Sequence, residues 1–122
     1  MFNHNVMRLL FSLLLSFLII APGHSFADNR NVVTGTFAVD GTCGQCKQRI
    51  EDAAYIKGVK SAEWDKKTHI LTVKYDSTKT DEGKIQLAVA HAGHDAGNIK
   101  ATTGDYDKLP NCCRYKSGIK EH

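Results

Sequence analysis

The sequence predicts an α+β fold: a four-stranded antiparallel sheet with two helices on one face, in the order β-α-β-β-α-β. Three observations predict it. Apolar residues alternate with polar ones in some stretches and recur every three to four residues in others, so the period switches between that of a strand and that of a helix. Each helix-period stretch closes on a glycine, Gly58 and Gly93. Proline occurs only at Pro22 and Pro110, which leaves the span between them open to uninterrupted regular structure.

The elements follow in order. Residues 31–39 are rich in β-branched and aromatic side chains (Val32, Val33, Thr34, Thr36, Phe37, Val39) and form a first strand that Gly41 closes. From Cys46 the apolar positions Cys46, Ile50, Ala53 and Ala54 fall at i, i+4, i+7 and i+8, one stripe of a helix, with Lys47, Gln48, Arg49, Glu51 and Asp52 on the other face. Ala62 and Trp64 alternate with polar neighbours, residues 65–68 turn, and Leu71, Val73 and Tyr75 alternate again, which gives a hairpin. Thr80 caps a second helix whose first turn carries Asp81 and Glu82, the sign its dipole favours, and whose stripe is Ile85, Ala88, Val89 and Ala92. Residues 98–103 form the last strand. This is the split βαβ, or ferredoxin-like, order. It brings the loop at 41–46 and the loop at 93–97 to the same end of the sheet.

The chain divides into a leader over 1–27, a folded domain over 28–103 and a tail over 104–122. The leader has Arg8 near its start and an apolar run from Leu9 to Ala21 that is short of the ~20 residues a spanning helix needs. Pro22 and Gly23 break the run, and Ser25 and Ala27 are the small residues of a signal-peptidase site, so cleavage is expected after Ala27. No membrane anchor would then remain, and the mature protein would lie in the periplasm or another extracytoplasmic space, where disulfides persist. The full chain has 16 Lys and Arg against 13 Asp and Glu, net +3. Losing the leader removes Arg8 and no acid, leaving 15 against 13 and a net +2. So small a charge, spread along the chain, argues against a nucleic-acid partner.

The chemistry rests on four cysteines, Cys43, Cys46, Cys112 and Cys113. Cys43 falls in a loop and Cys46 in the first turn of the helix, where unpaired N–H groups, the dipole and Lys47 all favour thiolate. Two sulfurs three residues apart on a turn can converge on one ion, and thiolate is the soft ligand that selects Cu(I) and its like. Other readings of the pair are a structural disulfide, the default in an exported chain, and a thiol-disulfide redox couple. Against the couple, the strand order differs from that of a thioredoxin and no proline stands opposite the pair. An RNA-binding sheet shares the β-α-β-β-α-β order, but its third strand should offer stacking aromatics, and residues 69–75 hold only Tyr75.

Val39-Asp40-Gly41-Thr42-Cys43-Gly44-Gln45-Cys46, with Ile50, Gly58-Val59, Val73, Tyr75-Asp76, Ile85 and Ala92-Gly93-His94-Asp95-Ala96, resembles the heavy-metal-associated domain family, which includes copper chaperones and periplasmic mercury-binding proteins. The likeness spans 33–103. It implies a ferredoxin-like fold that binds Cu(I) or a similarly soft ion, such as Hg(II), through Cys43 and Cys46. It further implies that the ion is passed by ligand exchange to a partner, for which a metal transporter or efflux component is expected, with the protein itself a monomer. The sequence departs from the family twice. Gly41 stands where a buried methionine is usual, which should loosen the loop, and His94 stands where an aromatic residue often faces the site.

His94 is a candidate third ligand, since imidazole suits copper and zinc, with interaction at the helix-end carbonyls as the plain reading of both His91 and His94. The nine residues from Thr103 to Cys112 reach up to ~30 Å at ~3.3 Å per residue. A sheet of six-residue strands is only ~20 Å long, so the tail can fold back to the Cys43/Cys46 end. Cys112 and Cys113 then give extra thiolates for the same ion, a second soft-metal site, or disulfide partners for Cys43 and Cys46. Four sulfurs around one ion would suit a structural Zn(II) site. With no acid–base pair, partnered nucleophile or phosphate loop, an enzyme is not expected.

Overall fold

A computed structural model describes Gly23 and residues 29–117. Strand β1 (Val32–Ala38) and strand β2 (Val59–Trp64) both pair antiparallel with strand β3 (Ile70–Asp76), giving the order β1-β3-β2. Register aligns the inward-facing positions in rows: Phe37, Leu71 and Trp64 form one, Gly35, Val73 and Ala62 the next. Alternation along each strand therefore becomes one apolar face. Helix α1 (Gly44–Ala54) lays Cys46, Ile50 and Ala54 on that face, and helix α2 (Glu82–His91) lays Ile85, Val89 and Ala90 there.

Several boundaries differ from the sequence expectation. Helix α1 starts at Gly44, two residues before the first apolar signal, with Cys43 as its N-cap. It stops at Ala54 rather than running to Gly58, whose φ of +98° serves the turn into β2 instead. Asp81, not Thr80, caps α2: its carboxylate accepts from the Lys84 N–H at 2.9 Å, while Thr80 turns inward and is 4% exposed.

The expected fourth strand is the main correction. Among the described residues, 98–103 contains no strand, and the sheet has three. Ala96 makes a single antiparallel bridge to Val39 beside β1, and Gly97, at φ +52°, then reverses the chain. Ala96 and Ile99 exchange both backbone hydrogen bonds at 2.9 Å. A turn so close to the edge spends on itself the backbone groups a longer strand would offer to β1.

Beyond it lies a short helix α3 (Thr103–Asp107), capped by the Thr102 hydroxyl, and then 3-10 turns at Asn111–Cys113 and Tyr115–Ser117. These residues of the tail pack against the domain. Leu109 and Cys113 are 2% and 0% exposed and share the core with Cys46, Ile50 and Trp64. The leader predicted over 1–27, apart from Gly23, lies outside the described residues. Among the described residues no helix is long and apolar enough to cross a membrane.

Candidate metal site

The site is set by the loop between β1 and α1. Backbone hydrogen bonds from Val39 to His69 and from Asp40 to Asp95, at 2.8 and 3.0 Å, tie that loop to the β2–β3 turn and to the loop after α2. Beneath it lies Trp64, whose Nε1–H donates to the Val39 carbonyl at 3.0 Å. A β-carbon built on Gly41 would lie 3.0 Å from the Trp64 ring and 3.1 Å from the Cys46 β-carbon. The indole of Trp64 therefore takes up the space under Gly41.

Cys43 and Cys46 converge, with their sulfurs 3.4 Å apart. Cys46 is fully buried, and its sulfur accepts from the Thr42 N–H at 3.4 Å. Cys43 is half-buried. Burial disfavours its thiolate, but the N–H groups of Cys46 and Gln45 and the thiols of Cys46 and Cys113 outweigh burial and bring its pKa down to about 7. Lys47 is turned to other partners. Its ammonium is bound by the Glu51 carboxylate at 2.5 Å and the Trp64 carbonyl at 2.8 Å.

The tail reaches the same place. Cys113 Sγ lies 3.8 Å from Cys43 Sγ and 3.9 Å from Cys112 Sγ. Cys43, Cys112 and Cys113 hold their sulfurs within 4.8 Å of one another. Burial and the neighbouring thiols push the Cys113 thiol well above its ordinary range. Cys112 Sγ–H donates to Gln45 Oε1 at 2.9 Å, and the Thr42 hydroxyl donates to the Cys112 carbonyl at 2.6 Å. All four cysteines are free thiols.

His94 is fully buried but stands outside this sulfur group. Its Nδ1–H donates to the Asp40 carbonyl at 2.7 Å, and its ring stacks on Tyr115 with centroids 5.8 Å apart. Burial, helped by the Arg49 charge, lowers its pKa against the hydrogen bond to Asp40, which works the other way. Its Nε2 has no hydrogen-bond partner among the described residues. His91 is exposed and pairs with Asp105 at 3.3 Å. Thr42, Gln45 and Tyr115 were missed as parts of the site. Thr42 and Gln45 flank the cysteines and could have been found by proximity, whereas nothing in the sequence around Tyr115 marks it.

Residues 36–95 match the model of the heavy-metal-associated domain. Among solved structures the CopZ metallochaperone is 30% identical at a TM-score of 0.51, covering 52% of this chain and 98% of its own. The chain belongs to the heavy-metal-associated domain family. Oxidized MerP from Ralstonia metallidurans CH34 is 29% identical at a TM-score of 0.51, covering 54% of this chain and 94% of its own. No curated protein matches the sequence. Both relatives are covered nearly end to end. The match ends at Asp95, and Cys112 and Cys113 lie beyond it.

Proposed function

We propose that this heavy-metal-associated domain binds a soft metal ion through the Cys43 and Cys46 thiolates, Cu(I) first and Hg(II) next, and passes it to a transporter or efflux component. The observation that carries the reading is the sulfur pair 3.4 Å apart at the start of α1, with Cys43 ionising at about 7. Thiolate favours Cu(I) over harder ions, and a half-buried sulfur is open to an incoming ligand, as handing on the ion requires. Membership of the family supports metal binding rather than catalysis. Export through a leader over 1–27 belongs to the same proposal, with a mature protein beginning at Asp28 as its checkable consequence by mass spectrometry.

A second reading, thiol–disulfide exchange, draws on the lowered Cys43 pKa, since a low-pKa thiol is also what a redox couple needs. One comparison separates them. The reduced protein should take up Cu(I) with sub-micromolar affinity and fail to reduce insulin, and the opposite pair of results would reverse the assignment.

A further inference from the structure

The family match ends seventeen residues before Cys112, yet the tail sulfurs stand against Cys43. This placement is built into the packing. Leu109 fills the space over Gly93, where an added β-carbon would lie 2.8 Å from its Cγ. Tyr115 accepts from the Asp95 N–H at 2.9 Å and donates to the Gly93 carbonyl at 3.2 Å. Between these anchors a 3-10 turn, closed by the Cys113 N–H on the Pro110 carbonyl at 2.8 Å, points one sulfur inward and one toward Gln45.

The spacing of the sulfurs fits a particular coordination number. With a metal–thiolate bond of about 2.3 Å, linear coordination by two sulfurs sets them about 4.6 Å apart and planar coordination by three sets them about 4.0 Å apart. Cys43 and Cys46, at 3.4 Å, would have to spread by about 1 Å to bind linearly. Two of the three edges, Cys43–Cys113 and Cys112–Cys113 at 3.8 and 3.9 Å, already match the three-sulfur spacing, and the third lies within 4.8 Å.

We propose that the tail is part of the metal site: Cys112 and Cys113 join Cys43 around one soft ion, turning an open two-sulfur site into a closed one that retains its cargo. This deepens the reading of Cys43 and Cys46 as a soft-metal site and rests on it. Binding releases the proton of each coordinating thiol to solvent and moves no electrons. Cys46, buried beneath the group and held by Thr42, supports Cys43 and receives the ion when the tail lifts.

The test uses the reduced full chain loaded anaerobically with Cu(I) and measured by X-ray absorption. One ion per chain with at least three sulfur neighbours is expected. In Cys112→Ser/Cys113→Ala the count should fall to two, and release to a chromogenic Cu(I) chelator should accelerate by at least ten-fold. Two sulfurs in the native chain, or two ions each on its own pair, would overturn the proposal. The native measurement decides even if the buried Cys113 substitution impairs folding, and Cys112→Ser alone repeats the release assay at a less buried position. Cu(I) uptake that survives Cys43→Ser/Cys46→Ser unchanged would instead defeat the underlying two-cysteine reading.

Discussion

Truncating Leu109 to alanine should free the tail while leaving the sheet intact. Leu109 is 2% exposed and sits between Gly93 and the core. Removing a buried leucine side chain costs roughly 2 to 5 kcal/mol, the transfer of its methyl groups plus the cavity left behind. Residues 36–95 match a domain that the relatives carry without this tail, so the cost should fall on tail docking and not on the sheet. Each 1.4 kcal/mol is about ten-fold in the open fraction, and a loss near 3 kcal/mol gives roughly 100-fold more opening. Cys113 is fully buried and reacts only when the tail lifts. Its alkylation rate in the metal-free reduced protein, located by peptide mass spectrometry, should rise by about that factor, with amide exchange in β1 and β3 unchanged. An unchanged Cys113 rate, or a matching rise in exchange across the sheet, would refute independent docking.

Three further outcomes follow from the same geometry. Gly41→Met, the residue usual in the family, should destabilise the fold by about 1 to 3 kcal/mol in denaturant titration, because the Trp64 ring already lies 3.0 Å from the added β-carbon. Alkylation of Cys43 should reach half its maximal rate near pH 7, rising as the thiol ionises, and a midpoint near 9 would contradict the hydrogen bonds assigned to it. For the Asp95 carboxylate, burial works against ionisation, but the Ala101 N–H and the charges of Lys116 and Lys100 outweigh it and hold the pKa below the ordinary value. A depressed carboxylate pKa contributes stability that is complete above the unfolded value of about 4 and is lost as pH falls through the folded value. Thermal melting in Asp95→Asn should therefore lose part of its dependence on pH below about 4.

What the sequence made legible was local and periodic. Alternation placed Phe37, Leu71, Val73 and Trp64 on one face, and helical spacing placed Cys46, Ile50, Ile85 and Val89. The two cysteines of the loop were visible for the same reason, as a short motif at a helix start. The remainder depends on contacts between distant residues. Trp64 under Gly41, the Asp40 carbonyl on His94, and Leu109 and Tyr115 on the loop after α2 leave no periodic trace. The fourth strand failed because its pattern at 98–103 was short and mostly polar, and the reversal at Gly97 removed it from the sheet edge. Chain length alone allowed the tail to reach the site, and single buried residues bring it there.

Cu(I) affinity, measured by competition against a chromogenic chelator with fully reduced protein under argon, tests the central claim most directly. Sub-micromolar binding in the native chain that Cys43→Ser/Cys46→Ser abolishes is the result expected. Binding no tighter than the double variant's would contradict a metal site at the head of α1.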